Sequence, residues 1–241
     1  MSCNEIKFMI NKIPAVLYGA ASDCGFLFIH GQCGSKNDAQ SFAELATACG
    51  CQVLSIDLPE HGERHDSVKL LPWEVLPELK TVMDYAKANW KHIFVRAVSI
   101  GAWFSLLAFG NENIDGFLLS SPLLDMENMI FNLMEYAGIT EERLKAEGEI
   151  PTDTGNTLSW KYLCWVREHP VCTACCNISV LYATGDGMIP RCVIDSFAEK
   201  NICRLTILQG GQHWLHTADE LEAVKRWETD ELMRIKKDLK L

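Results

Sequence analysis

The sequence predicts an α/β fold, a mostly parallel sheet with helices on both faces, and two patterns carry that reading. Short apolar runs of strand length alternate with amphipathic runs of helical period, as in βαβ units laid side by side. Ser99 stands between one apolar run and one helical run, in Ala97-Val98-Ser99-Ile100-Gly101. A serine on such a strand-to-helix turn is lifted above the end of a sheet, and small residues are favoured beside it. The 241 residues suffice for one large domain that buries about three quarters of its unfolded surface. No internal repeat or low-complexity linker divides them, so residues 1–241 read as a single domain.

Residues 6–10 and 15–18 predict a short leading pair of strands. Gly25-Phe26-Leu27-Phe28-Ile29 predicts a fully buried strand ending at His30-Gly31. A helix follows, with Phe42, Leu45, Ala46 and Cys49 on one face and Gly50 as its stop. Residues 52–56 predict the next strand, which runs out into Asp57-Leu58-Pro59-Glu60-His61-Gly62. A helix over about 72–90 leads to the strand His92-Ile93-Phe94-Val95-Arg96-Ala97-Val98. Beyond Ser99, Trp103, Leu106, Leu107 and Phe109 recur at helical spacing up to Gly110. Strands over 114–119, 178–183 and 205–208, with a helix after Pro190, continue the alternation. The last helix opens at Thr217, where Thr217 and Glu220 have capping-box spacing.

Residues 122–170 break the pattern. Met126, Met129, Ile130, Leu133 and Met134 predict a helix with one apolar face. A short helix over 140–146, a Pro/Thr/Gly-rich loop over 150–156 and a third helical stretch with Trp160, Leu163 and Cys164 follow. Such a segment can simply pack on the body. Because it enters directly after the carboxyl end of a strand, it is read instead as a helical cap insertion over an apolar substrate pocket. Met129, Leu133 and Trp160 from the cap, and Trp214 from the body, are the expected substrate-binding residues.

Composition narrows the partners. Hydrophobic residues make up 48% and charged residues 22% of the chain, an ordinary globular balance. The formal net charge is −10, with no lysine/arginine run before the last helix, which argues against a nucleic-acid partner. No apolar stretch approaches the roughly 18 residues of a membrane span. The start, Met1-Ser2-Cys3-Asn4-Glu5, lacks the layout of a secretory signal. The expected location is the cytoplasm. Eleven cysteines suit it as reduced, small apolar side chains. Cys172, Cys175 and Cys176 cluster near Cys164 and His169, but their spacing matches no zinc pattern, and no metal is expected.

A serine hydroxyl is a weak nucleophile and needs a base, usually an imidazole oriented by a carboxylate. Ser99, Asp186 and His213 occur in the order Ser-Asp-His. Asp186, in Thr184-Gly185-Asp186-Gly187, follows the 178–183 strand, and His213, in Gly210-Gly211-Gln212-His213-Trp214, follows the 205–208 strand. Each is thus expected at the sheet edge that carries Ser99. Taken singly, Ser99 could be only a helix cap, Asp186 a turn former and His213 a cap of the last helix. His216, one helical turn beyond His213, is a rival base, but the glycines before His213 let its loop bend inward, whereas His216 is closer to the helix; His61 and His65 suit a substrate-side loop. The negative oxygen of an acyl-transfer intermediate wants backbone donors, and the main-chain N–H groups of Ile100 and of Gln32, in His30-Gly31-Gln32-Cys33-Gly34, are the candidates. Cys33 is a rival nucleophile that follows no strand-to-helix turn.

With these residues in place the chain resembles the α/β-hydrolase superfamily over about residues 26–227. The match rests on His30-Gly31 with Gly34, the Asp57-to-Gly62 stretch, the Ser99 turn, Asp186 with Ile189-Pro190, and His213. The continuation into Glu63-Arg64 looks like small bacterial esterases and dipeptidyl-peptidase-like serine hydrolases. The resemblance implies an eight-stranded, mostly parallel sheet, a Ser-Asp-His triad, a small helical lid after the sixth strand and no cofactor. Ala97 departs from it by replacing the first glycine of the turn. The expected activity is cleavage of a small carboxylic ester through an acyl-enzyme on Ser99, with a small-molecule acyl substrate as partner. A thioesterase or peptidase would use the same triad, and a carbon–carbon hydrolase the same parts. A non-catalytic binder of a small apolar molecule would keep the fold without needing all three groups. The last helix allows a monomer or a homodimer.

Overall fold

The computed structural model describes residues 4–153, 155–175 and 177–240. β1 (Glu5–Ile10) and β2 (Ile13–Tyr18) form a leading hairpin, β3 (Cys24–Ile29) is buried along its whole length, and a 3₁₀ turn (Lys36–Ala39) opens α1 (Gln40–Ala48). β4 (Gln52–Ile56), α2 (Pro72–Asn89), β5 (His92–Val98), α3 (Ile100–Phe109) and β6 (Gly116–Ser120) follow. An insertion then holds α4 (Met126–Tyr136), α5 (Glu141–Glu147), β7 (Glu149–Pro151), β8 (Thr157–Ser159) and α6 (Trp160–Glu168). β9 (Ile178–Ala183), α7 (Arg191–Asn201), β10 (Arg204–Leu208) and α8 (Ala218–Leu239) complete the order. Among the described residues, no helix is long and apolar enough to cross a membrane.

Eight strands form one sheet in the order β1-β2-β4-β3-β5-β6-β9-β10. Pairing is antiparallel at β1/β2 and β2/β4 and parallel from β4 to β10. β4 lies on one side of β3, and the chain then crosses to the other side to make β5. Such a reversal leaves a crevice beyond the carboxyl ends of the two strands. β5 runs out there into Ser99, and β3 into His30-Gly31. The fold has therefore placed the serine at that crevice.

β5 shows why both faces of the sheet must be covered. Ile93, Val95 and Ala97 join the core shared with α2, α3 and the insertion, whereas Phe94 joins the core under α1 and α8. Burying each such large side chain contributes roughly 1.5–3 kcal/mol. The insertion is seated on the first of these layers by aromatic rings: Tyr162 stacks on Trp103 at 6.2 Å between centroids, and Trp165 meets Trp73 edge-on at 6.4 Å.

The structure corrects two local readings and adds one local element. The strand expected over 114–119 starts later, at Gly116, because Asp115 is spent on β5, its N–H donating to the Ile93 carbonyl and its carboxylate accepting the Ile93 N–H. The expected loop over 150–156 is flanked by a small ribbon, β7 paired with β8, which buries Ile150 against Leu158. Three-residue strands are too short to show a period. The 3₁₀ turn before α1 was not expected either; Ser35 caps it reciprocally with Asp38.

Past β4, the buried Asp57 carboxylate accepts from the Lys36 ammonium and the Lys36 N–H, each at 2.7 Å, and from the Glu63 N–H at 2.9 Å. Burial opposes both charges. The Glu63 N–H and Lys36 nevertheless hold the Asp57 carboxyl below its usual range, and Asp57 with Glu63 holds the Lys36 ammonium above its own. This pair ties the segment after β3 to the segment after β4. Asp57→Ala leaves the buried Lys36 ammonium to the exposed Glu63 carboxylate, at 3.1 Å, and is expected to lower unfolding free energy by about 3 kcal/mol. Urea titration should show this, and should show much of the loss recovered in Lys36→Met/Asp57→Leu.

Candidate active site

Ser99 occupies the turn from β5 into α3 with φ +49° and ψ −119°. A non-glycine residue in that region stores of order 1–3 kcal/mol of strain and persists only where its surroundings impose it. Here the Ser99 N–H donates to the Ser120 carbonyl, and the Ser99 carbonyl accepts from the N–H groups of Ala102 and Leu123, at 3.0–3.1 Å. Close approach completes the clamp. A Cβ at Gly101 would lie 2.3 Å from the His30 carbonyl oxygen, so only glycine lets α3 begin this near the end of β3. Ala97, by contrast, sits in regular β5 paired with Ile29, its methyl buried in the core. The small residue that the turn requires is Gly101.

The Ser99 Oγ lies 2.8 Å from His213 Nε2, and His213 Nδ1 lies 2.7 Å from Asp186 Oδ2. An ionised Asp186 accepts from Nδ1–H, which leaves Nε2 as the acceptor for the serine hydroxyl. The other Asp186 oxygen accepts the N–H groups of Met188 and Ile189 at 2.8 and 3.0 Å. The loops after β9 and β10 are also joined: the Gly185 N–H donates to the Gly211 carbonyl at 2.8 Å, and a Cβ at Gly185 would fall 2.7 Å from that oxygen. Below His213, one Glu220 oxygen accepts the Gln212 N–H, and the other accepts the N–H groups of His216 and Thr217 and the Thr217 hydroxyl. Those bonds push its carboxyl down to about 2. The capping-box spacing marked Glu220 as a helix opener; its grip on the His213 loop was invisible without the fold.

The segment carrying Gln32 is braced from behind by two imidazoles. His30 donates from Nδ1 to the Gly31 carbonyl at 2.7 Å and accepts the Leu58 N–H on Nε2 at 3.0 Å. His61 donates from Nδ1 to the Pro59 carbonyl at 2.8 Å and accepts the Cys33 N–H at 3.1 Å. Both bond sets require the neutral ring, and burial accordingly lowers the His30 imidazole from its usual 6.5. His61 is thus a buried brace of the loop and not the substrate-side group that its position in the sequence suggested. Gln32 follows β3 after His30-Gly31, Ile100 follows Ser99 directly, and among the described residues neither N–H donates to a protein acceptor.

A cavity of about 910 Å³ reaches Ser99, His213, Gln32 and Cys33, and Trp214 forms part of its wall. Trp214 is 69% exposed and meets the His213 ring edge-on at 5.8 Å. Met129, Leu133 and Trp160 are not among its lining residues. The first two are half-buried against the core, and Trp160 takes the Lys145 ammonium over its ring at 5.7 Å. His216 points outward toward Glu220, at 3.8 Å, and His65 is exposed. Of the cysteine cluster, Cys172 is exposed and Cys175 half-buried, while Cys176 lies outside the described residues.

No protein-family model and no curated protein matches the chain. Solved structures match over nearly its whole length. Est1E from Butyrivibrio proteoclasticus, with ferulic acid bound, superposes with a TM-score of 0.76 at 18% identity, covering 95% of this chain and 98% of that one. The Pyrococcus furiosus esterase Pf2001 gives 0.69 at 16% identity over 96% and 91% of the two chains. The thioesterase domain from the curacin biosynthetic pathway gives 0.62 at 15% identity over 95% and 99%. At these identities the likeness is one of architecture: the chain has the α/β-hydrolase fold, as its sequence resemblance implied.

Two titrations test the bracing. With the His30 pKa lowered on folding, the unfolded chain binds the proton first, so the stabilising contribution is whole above pH 6.5 and lost as pH falls below it. Urea unfolding is expected to weaken across that range, and His30→Asn to flatten the slope. Glu220, lowered from 4.5 to about 2, stabilises above pH 4.5 and loses that contribution on acidification toward 2. Glu220→Gln should remove this acid limb in the same measurement.

Proposed function

We propose that this chain is a serine hydrolase that cleaves a carboxylic ester through an acyl-enzyme on Ser99. The observation that carries the proposal is the unbroken line from the Ser99 Oγ to His213 and on to Asp186, with bonds of 2.8 and 2.7 Å, on a serine held at a positive φ. None of the plainer roles of these residues calls for that line. The Ser99 side chain makes no capping bond to α3, and His213 spends both ring nitrogens on the other two groups.

In this reading the Ser99 oxygen attacks the ester carbonyl as His213 Nε2 takes its proton. Asp186 keeps the imidazole in the required tautomer and stabilises the cation that forms. The carbonyl electron pair moves onto oxygen, where the N–H groups of Ile100 and Gln32 would receive it. One such donor typically contributes a factor on the order of 10²–10³ in rate. Collapse expels the alkoxide, which leaves with the proton held on His213, and water repeats the sequence to free the acid. Asp57–Lys36, His30 and His61 act earlier, by fixing the Gln32 segment before substrate arrives. Trp214 is the proposed apolar wall. The occurrence of an esterase and a thioesterase domain among structures of this fold supports acyl transfer as the chemistry.

Ser99→Ala is expected to fold normally and to lose p-nitrophenyl acetate hydrolysis by a factor on the order of 10⁴ or more. Asp186→Asn should fall nearly as far, with His213 left in the wrong tautomer. A fluorophosphonate probe should label the unmodified protein at Ser99, read by peptide mass. Turnover that survives Ser99→Ala would sink the proposal.

A further inference from the structure

The cavity at Ser99 does not end there; it continues as a groove between α1 and α8. Along α8 its lining runs from Ala218 to Glu228, about 15 Å of helix axis. Leu45 on α1 and Leu221 and Val224 on α8 line it, and Trp214 and Leu215, the residues that follow His213, line it too. Trp214 and Leu221 are 69% and 54% exposed, so two large apolar side chains are left to water beside the candidate serine.

The direction of proton transfer says which half of a substrate belongs in this groove. The proton taken from the Ser99 Oγ rests on His213 Nε2 and passes to the departing oxygen, so that oxygen must sit at His213 when the carbonyl–oxygen bond breaks. The groove begins with the residues that directly follow His213. The charges lining it are mostly acidic: Asp38, Glu44, Glu222 and Glu228, against Lys225 and Arg96, the last paired with Glu228. An anionic leaving group would be repelled, and a neutral apolar one would not.

Building on the acyl-transfer reading above, we infer that the α1–α8 groove holds the alcohol half of the ester, and that this alcohol is neutral, apolar and several carbons long. As the acyl–oxygen bond breaks and the acyl–Ser99 bond stands, the alkoxide takes the His213 proton and leaves along the groove as the free alcohol. Specificity for the alcohol is then set by Leu45, Leu221 and Val224, and not by the insertion.

The test compares kcat/KM for octyl acetate and ethyl acetate, two esters with one acyl group, by titrating the acid released. The expected ratio favours octyl acetate by at least about tenfold, since each methylene in an apolar site discriminates measurably. Val224→Trp, which fills the groove, and Leu221→Asp, which places a charge on its rim at an exposed position, should each cut that ratio severalfold. A second measurement needs no turnover: calorimetric binding of 1-octanol to Ser99→Ala, expected to be present and to be lost when Val224→Trp is added. A ratio near one, a ratio unmoved by both variants, or no 1-octanol binding overturns the groove assignment, even with Ser99-dependent ethyl acetate hydrolysis intact. If 1-octanol binds in the groove but hydrolysis does not depend on Ser99, the acyl-transfer reading falls and the groove stands as an alcohol site.

Discussion

Everything at the candidate site depends on one backbone conformation, the positive φ of Ser99. A relaxed residue there would either continue β5 or begin α3 early, and in both cases the hydroxyl would turn away from the crevice. The strain is held by three backbone hydrogen bonds, to Ser120, Ala102 and Leu123, and by the missing side chain at Gly101, which lets the helix start against the end of β3. The same contact that strains the serine brings the Gln32 segment alongside it. Ser99 and the Gln32 segment are therefore positioned by one packing event.

Around that turn, the fold uses buried charge as bracing. Asp57 with Lys36 joins the segments after β3 and β4. Arg96, in the middle of β5, reaches Glu228 on α8 at 2.9 Å and the Ser120 hydroxyl on β6 at 2.9 Å, with its guanidinium 5.1 Å from the Trp227 ring. Glu220 gathers the residues around His213. A buried ion pair is weak evidence of added stability, because desolvation offsets much of the attraction. Its geometric demands are strict, however, and here each pair fixes one loop or helix that touches the crevice. The charges specify where things sit more than how firmly the whole holds together.

The two ends of the crevice differ in character. At the serine, polar groups converge and nearly all of them are matched by partners. Along α1 and α8 the apolar side chains of Leu45, Leu221 and Val224 line an open stretch among charged ones, with Trp214 beside His213. The proposed ester would place its reactive bond at that polar centre and its alcohol arm along the groove. The insertion, anchored by its rings to α2 and α3, stands on the other layer of the molecule.

By itself the sequence determined the alternation of strands and helices, because buried strands are continuously apolar and amphipathic helices carry their period openly. It also determined the order of Ser99, Asp186 and His213 and their placement just past strand ends, since those are local facts about turns. The glycines before His213 already favour it over His216, three residues on, as the imidazole that meets the serine; the tertiary structure adds the Glu220 and Gly185 contacts that hold it there, joining segments from two loops. Likewise His30, His61, Lys36 and Arg96 are ordinary polar residues in one dimension. Their roles arise from partners on other elements, such as Leu58, Cys33, Asp57 and Glu228. The groove between α1 and α8 was unreadable for the same reason: its two walls lie more than a hundred residues apart, and no periodicity in either helix reports the space left between them.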